Sequence, residues 1–327
     1  MKNSTAPNRK TGRMIAKNLI VLFAVALAGF CGIQAWFTDN RSAEANGIEV
    51  ECQAPDGIEI AVVGHDAPAP TEYTTGNITL NKTNYPFLEK LQLTEITGDG
   101  TFFRKPALIQ SGGQAHVDTK AEWSEPTANE HYLSFDLYIR SKSQYNISIG
   151  KKSTIKPDAP QLTTQDGTGI KNKSKYGNFS RDSVVGAVRF SVVDYKSAPP
   201  SKKLLWLPAP NILLKQTTDE YTLSDDMPSG ESYSHVYYDT NRVQHTVSST
   251  DVDKAFVVNN DGFDGGKFTY ELGQNQNIAQ LNKSSENDQF YSAMVTCNMW
   301  IEGEDAEARL ALVNGKFKVN LVLTKVS

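Results

Sequence analysis

The chain contains 327 residues, of which 39% are hydrophobic, and this is enough apolar material to bury a sizeable core. This composition excludes collagen-like, coiled-coil and wholly disordered chains, and a total of three cysteines excludes a disulfide-dense scaffold or an iron–sulfur protein. A net charge of −4 and an isoelectric point near 5.8 argue against a nucleic-acid partner, because nucleic-acid binders present basic surfaces.

Positive charge is concentrated at the amino end of the chain. Residues 1–17 carry five basic and no acidic side chains, whereas the rest of the chain has a net charge of −9. Residues 18–37 are uncharged and mostly apolar, and a helix of about 20 residues matches the thickness of a bilayer core. Basic residues before such a segment hold its amino end in the cytoplasm. We therefore expect a cytoplasmic region 1–17, a transmembrane or signal helix 18–37 and an extracytoplasmic domain 38–327.

Two interpretations of segment 18–37 stay open. The segment is either an uncleaved membrane anchor or a signal peptide, and in the second case the cut falls between Ala35 and Trp36. Ala35 has the small side chain that suits the position before the cut, whereas Ile33 is a poor residue two positions earlier. A buried soluble helix is disfavoured, because the segment is apolar on all sides.

The end of this segment carries a family resemblance. Residues 35–39, AWFTD, resemble the A-[YWF]-F-[TN]-D junction of a secreted Gram-positive family that includes camelysin and the TasA-type biofilm matrix proteins. Residues 300–305, WIEGED, are similar to a W-[IL]-E-G-x-D block of surface proteins with the same junction. The resemblance implies export, cleavage near Ala35 by a dedicated ER-type signal peptidase, and a β-sandwich of the jelly-roll type.

After the junction, apolar residues alternate with polar ones at a period of two, which is typical of half-buried antiparallel strands. The clearest runs are 48–52, 132–140 and 316–324. Further strands are predicted at 58–63, 145–149, 184–193, 203–207, 234–239, 254–258, 267–272 and 293–301. Turn sequences rich in Gly, Pro and Asn separate these runs, so the pattern predicts an all-β antiparallel sandwich or barrel.

Three other stretches differ from this alternating pattern. Residues 78–93 have the most helix-like pattern of the domain, although Pro86 interrupts it. Residues 150–182 and 273–289 are rich in polar residues and are predicted to be long surface loops.

The cysteines offer two alternatives. Cys52 and Cys297 lie on the apolar side of their predicted strands, whereas Cys31 lies in the apolar segment. Outside the cell, Cys52 and Cys297 can form a disulfide that closes a long loop and stabilises the fold. The alternative is a pair of buried free thiols that pack as small hydrophobic groups.

Motifs that carry enzyme chemistry are not found in this sequence. None of the five histidines lies in an H-E-x-x-H helix, and the chain has no C-x-x-C, no phosphate-binding loop and no nucleophile elbow. A Ser/His/Asp triad built from distant residues stays an alternative, because triads are defined by geometry. We expect no catalytic residue, no cofactor and no enzyme activity.

Acidic clusters are candidates for metal binding. Asp261 and Asp264 lie in the glycine-rich loop 259–266, whose oxygen atoms suit calcium. We favour a plain turn, because no glutamate completes the ligand set. The carboxylates of 302–305 are candidates for a metal site or for glycoside hydrolysis, and we favour a solvated loop.

Aromatic residues form the last candidate site. A sugar-stacking platform and filling of the hydrophobic core both explain them, and core filling is the simpler explanation. Trp300 lies on the opposite face of its strand from Cys297, so we expect it to be exposed or to pack under a loop. The residues considered are Trp123, Trp206, Trp300, Tyr237 and Tyr238.

These observations favour an exported structural protein of the cell surface or extracellular matrix. It would act by self-association or by contact with other surface proteins, and it would form fibres when segment 39–50 pairs with an edge strand of a neighbour. The alternative is a module that binds cell-wall or host glycans or another ligand, and a hydrolase ranks third. The membrane is a partner through segment 18–37, and no nucleic-acid partner is expected.

Overall fold

The structure covers most of the predicted extracytoplasmic domain. The computed structural model describes residues 43–44, 48–111, 114–158, 181–208, 214–216, 221–223, 236–246, 256–258, 270–303 and 316–326. Segment 18–37, the junction at Ala35 and Trp36, and the loop with Asp261 and Asp264 lie outside these residues.

Strands make up almost all regular structure in the described ranges, and helix there is limited to the 3₁₀ turns Pro86–Leu88 and Arg181–Ala187. The prediction of an all-β protein is therefore confirmed. In chain order the strands are β1 (Ala43–Glu44), β2 (Ile48–Gln53), β3 (Glu59–Gly64), β4 (Ile78–Leu80), β5 (Gln92–Leu93), β6 (Glu95–Gly98), β7 (Phe103–Arg104), β8 (Leu108–Ser111), β9 (Gln114–Val117), β10 (Leu133–Ser141), β11 (Asn146–Ile149), β12 (Thr154–Pro157), β13 (Val188–Asp194), β14 (Ser201–Leu207), β15 (Leu214–Gln216), β16 (Tyr221–Leu223), β17 (Val236–Tyr238), β18 (Gln244–Thr246), β19 (Phe256–Val258), β20 (Tyr270–Glu271), β21 (Gln276–Gln280), β22 (Tyr291–Glu302) and β23 (Phe317–Val326).

One sheet has eight strands. Its main order is β19-β14-β13-β22-β10-β3, with β6 paired to the end of β22 and β7 paired to β6. The pairs are antiparallel except β14 with β19 and β22 with β6, which are parallel. β10 and β22 form the centre of the sheet, in unbroken register from Leu133 opposite Met299 to Ser141 opposite Tyr291.

The second sheet has seven strands and is organised around β23. β2 pairs with β23 in parallel along one side and with β4 in antiparallel orientation. β12 and β11 lie one after the other along β23, and β20 and β21 extend the sheet beyond them. The remaining described strands form the two-stranded pairs β1–β5, β8–β9, β15–β16 and β17–β18.

The two sheets share one hydrophobic core. Leu137, Val192 and Val295 come from the eight-stranded sheet, and Val50 and Leu321 come from the seven-stranded sheet. Two mostly antiparallel sheets that bury their apolar faces against each other have the architecture of a β-sandwich.

The outer face of the eight-stranded sheet is also partly covered. We call residues 94–132 the covering segment; it begins with the end strands β6 and β7, and Ile96, Phe103 and Tyr132 from it pack in a second apolar cluster on this face. Trp300 is fully buried there, in edge-to-face contact with Phe103 at 5.1 Å between ring centroids. Of the two alternatives for Trp300, packing under a loop is therefore the one in the structure. The cluster comprises Ile96, Phe103, Leu205, Leu207 and Trp300, with Tyr132 and Tyr237 at its margin.

Several predicted boundaries are wrong. The predicted loop 273–289 contains β21, and the predicted loop 150–182 contains β12. β21 has the polar sequence QNIAQ with only Ile278 buried, so it has no alternation for the sequence to reveal. Residues 184–187 were predicted as the start of a strand but belong to a 3₁₀ turn. The prediction failed because an apolar run that is buried on all sides does not distinguish helix from strand. The helix-like stretch 78–93 holds β4, a 3₁₀ turn and β5.

Candidate functional site

The first strand of the seven-stranded sheet is the feature most relevant to assembly. β2 lies between β23 and β4, in register from Ile48 opposite Phe317 to Gln53 opposite Val322. Val50 and Cys52 are at most 1% exposed. We expected segment 39–50 to be available to a neighbour, but its residues 48–50 are already paired with β23, and Val50 is also paired with β4.

Polar contacts fix the outward face of β2. Lys318 Nζ on β23 lies 3.4 Å from Glu49 Oε1 and 3.1 Å from Asp158 Oδ1. The hydrogen bond to Asp158, followed by the contacts with Glu49, raises the pKa of Lys318. Asn77 Nδ2 donates to Glu51 Oε1 at 2.8 Å. Exposed pairs of this kind add little stability.

A short turn connects β2 to the opposite sheet. Ile58 N donates to Pro55 O at 3.1 Å, and Gly57 has a φ of +75°, which glycine adopts without strain. β3 follows directly and belongs to the eight-stranded sheet. β2 can therefore leave its place only if the turn at 54–58 opens.

The two described cysteines lie in the core that the sheets share. Cys52 on β2 and Cys297 on β22 are fully buried, and both are free thiols in the structure. Burial raises the pKa of Cys52 to about 12, and burial together with the nearby Cys52 and Asp136 raises the pKa of Cys297 well above its usual value. The disulfide stays the untested alternative to this pair of buried free thiols.

A polar cluster lies on the outer face of β10 and β22. Asp136 is 4% exposed; its Oδ1 is 2.9 Å from His65 Nδ1 and accepts a hydrogen bond from Thr296 Oγ1 at 2.7 Å. The hydrogen bond to Asp136 raises the pKa of His65 in spite of partial burial. A buried carboxylate on Nδ1 orients an imidazole as in a Ser/His/Asp triad. The other nitrogen, Nε2, lies 3.7 Å from Asp66 Oδ1, so the described contacts of His65 provide the orienting pair and not a serine nucleophile.

Polar contacts also hold the covering segment onto the sheet. Ser191 Oγ donates to Gly100 O at 2.8 Å, and Asn298 Nδ2 approaches the same oxygen at 3.4 Å. Tyr195 Oη donates to Thr101 O at 2.8 Å. These bonds satisfy polar groups that the covering segment would otherwise bury without partners.

The end of β22 carries a buried ion pair. Arg189 Nη1 lies 3.1 Å from Glu302 Oε2, and Trp300 Nε1 donates to the same oxygen at 3.3 Å. Glu302 is completely buried, so the prediction that it lies in a solvated loop is wrong; Glu304 and Asp305 lie outside the described residues. The Glu302 carboxylate is therefore held inside the protein by a guanidinium and an indole.

The aromatic residues considered as a sugar platform do not lie together. Trp206 belongs to the shared core, Trp300 and Tyr237 to the outer cluster, and Trp123 and Tyr238 to a third cluster with Val117. Filling of apolar clusters is therefore the explanation that the structure supports for these five residues.

Neither a metal site nor a membrane helix is found in the part of the chain that the structure describes. No group of three or more His, Cys, Asp or Glu side chains is placed there to hold a metal ion. No helix among those residues is both long enough and apolar enough to cross a bilayer.

Comparisons with family models, with curated proteins and with solved structures found no significant match to this chain. The assignment of a function therefore depends on the residues and their geometry. The cluster at Asp136 was missed by sequence reasoning, because Asp136 and His65 are 71 residues apart and neither lies in a motif.

Proposed function

We propose that this protein is an exported structural protein of the cell surface or extracellular matrix, which acts by self-association or by binding other surface proteins. The basic and apolar amino end and the AWFTD junction support export. The same resemblance supports a jelly-roll arrangement of the two sheets. An acidic, β-rich domain without a recognisable catalytic motif fits an interaction role better than an enzymatic one.

The position of β2 carries the proposal. β2 is the first long described strand, and it fills a place between β23 and β4 that a β2 from a second copy would fill with identical contacts. Exchange of β2 between copies requires the turn at 54–58 to open and β1 to separate from β5. After exchange, Val50 and Cys52 are buried as they were before. Strand exchange in a chain of copies would build fibres by backbone pairing.

The test uses single cysteines at one registered pair. Glu49 and Lys318 face each other across β2 and β23 and are half-exposed, so Glu49→Cys and Lys318→Cys should leave the fold intact. The two exported variants are mixed at high concentration and oxidised, and the products are separated without reductant. We expect disulfide-linked heterodimers, because only a β2 from one chain beside a β23 of another brings the two thiols together.

Lys142→Cys is the matched control partner for Glu49→Cys, because Lys142 is exposed on the turn between β10 and β11 and is not a registered partner of Glu49. The control mixture should remain uncross-linked. Equal cross-linking in the two mixtures, or fibres that form without the 49–318 cross-link, would reject strand exchange.

Glycan binding is the second candidate, and one surface cluster favours it. The Arg140 guanidinium lies 3.8 Å from the ring centroid of Tyr73 and 4.3 Å from that of Phe290, and it is paired with Glu59 at 2.6 Å. These half-buried rings and charges combine a stacking surface with hydrogen-bonding groups. Binding of the monomer on a carbohydrate array, lost in Tyr73→Ala and kept in Tyr237→Ala, would support this candidate.

A further inference from the structure

A loop covers the outer edge of the eight-stranded sheet. β3 is the last strand of that sheet, and the loop 65–77, which we call the edge loop, runs back beside it. Thr74 and Ile60 exchange two backbone hydrogen bonds, at 2.8 and 2.9 Å. An uncovered edge strand can pair with another chain, so attachment of the edge loop controls access to β3.

His65 attaches the start of the edge loop to the sheet. Its backbone N donates to Ser134 O at 3.3 Å, and its Nδ1 contacts the buried Asp136 at 2.9 Å. The charged or titratable groups around the imidazole are Asp136 from β10, Asp66 from the edge loop, and Tyr195 from the connection after β13, whose ring centroid is 5.4 Å away. A protonated His65 therefore faces two carboxylates and no cation among these groups.

His131 supports the same position from the covering segment. Thr127 N donates to His131 Nδ1 at 2.9 Å, a bond that requires the unprotonated nitrogen. The turn that this bond closes contains Asn129, whose side chain accepts from Ser134 N at 3.0 Å and donates to Ser134 O at 2.8 Å. Protonation of His131 would place two donors against each other and remove this bond, so that the turn would be held only by backbone bonds such as that from His131 N to Thr127 O at 2.9 Å.

Burial, followed by the charge of Lys105, lowers the pKa of His131, whereas the charge of Glu130 acts in the opposite direction to a smaller extent. Lys105 acts on the ring from the segment after β7. Glu130 precedes His131 in the chain, and its Oε1 lies 3.8 Å from Lys90 Nζ. The two histidines therefore stabilise Ser134 in opposite protonation states.

We propose that His65 and His131 form a pH-dependent junction at Ser134, which holds the edge loop most firmly at slightly acidic pH and loosens it on either side. The hydrogen bond to Asp136 raises the pKa of His65, so its contribution is complete below the ordinary histidine pKa of about 6.5 and is lost as the pH rises through the raised value. Burial and Lys105 lower the pKa of His131, so its contribution is present above about 6.5 and is lost as the pH falls through the lowered value.

Native-state hydrogen exchange of the exported protein tests the junction across pH 4.5 to about 9, after correction for the intrinsic exchange rate. We expect protection of the His65 and Thr74 amides to fall several-fold toward alkaline pH. Protection of the Ser134 amide should fall several-fold toward acidic pH. The amide of Val295, in the centre of β22, should show neither change.

Asparagine variants separate the fall in protection toward alkaline pH from the fall toward acidic pH, which we call the alkaline arm and the acidic arm. Asn places an uncharged donor or acceptor near the position of Nδ1, so His65→Asn should remove only the alkaline arm and His131→Asn only the acidic arm. His245→Asn is the control, because His245 is exposed on the β17–β18 hairpin and should leave both arms unchanged. Protection that is independent of pH in the wild type, or arms that persist in the variants, would overturn the proposal.

Direct titration of the histidine ring protons by NMR gives a second reading that needs no variant to fold. The proposal requires that His65 titrates above about 6.5 and His131 below it. The reverse order, or two unshifted histidines, would also overturn it.

Discussion

Leu137 is a residue at which burial alone predicts the result of a substitution. It has no exposed surface, and its registered partners are Val62 and Val295. Leu137→Asp would bury an unpaired carboxylate, at a cost comparable with the ~5–15 kcal/mol that stabilises a typical domain. We expect the variant to be unfolded or not exported, as measured by circular dichroism and by the amount secreted. Ser143→Asp, on the exposed turn after β10, is the control, and a Leu137→Asp protein that melts within a few degrees of wild type would contradict the expectation.

Gly100 tests the close approach of the covering segment to the sheet. Its φ is +90°, and a Cβ added there would lie 2.8 Å from Ser191 Cβ. Gly100→Ala should therefore lower the free energy of unfolding by about 1–3 kcal/mol, through backbone strain and overpacking. Denaturant unfolding measures the change. Gly76→Ala serves as the comparison, because its added Cβ would meet only Thr74 Oγ1 at 3.4 Å, and equal effects in the two variants would show that the approach at Gly100 is not tight.

At the scale of elements, β2 and β22 bring one cysteine from each sheet into the shared core. Both thiols are buried, and burial raises the pKa of each, so neither should react with iodoacetamide in the native protein. After unfolding without reductant, we expect one alkyl group on Cys52 and one on Cys297, as measured by peptide mapping. Labelling that appears only after reduction would show that the disulfide is formed.

The same scale shows where sequence patterns fail. β21 is a polar edge strand with one buried residue, and it lies in a stretch predicted to be a loop. β10 has alternating outward residues, yet Ser134 and Asp136 on that outward side are buried under neighbouring segments. Alternation predicts which side of a strand is apolar, but it does not report whether the other side is covered.

For the whole molecule, cleavage at the amino end and assembly should occur together. If the peptide bond between Ala35 and Trp36 is cut, β2 is released from the membrane and is free to exchange. If segment 18–37 is retained, the membrane holds β2 and disfavours fibres. We expect intact mass and amino-terminal sequencing of the native protein to give Trp36 as the first residue, in the same fraction that contains large assemblies. Assemblies built from chains with residues 1–37 intact would contradict this coupling.

Local sequence patterns alone predicted the position of several strands and the fold class of this protein. The alternation in 48–52, 132–140 and 316–324 predicted β2, β10 and β23 to within two residues. These predictions succeeded because a strand with one apolar and one polar face has alternating apolar and polar residues along its sequence. The inward positions of Cys52 and Cys297 followed from the same rule. The all-β class is the sum of such local patterns.

Only the tertiary structure decided the contacts between distant segments. The parallel pairing of β2 with β23, the burial of Trp300 and Glu302, and the contact of His65 with Asp136 each join parts of the chain that no local pattern relates. These contacts form because covering a sheet face removes apolar surface from water, and the polar groups buried with it must then find partners. Which residues become partners depends on the packing of the whole chain. For that reason these contacts could not be predicted from the sequence.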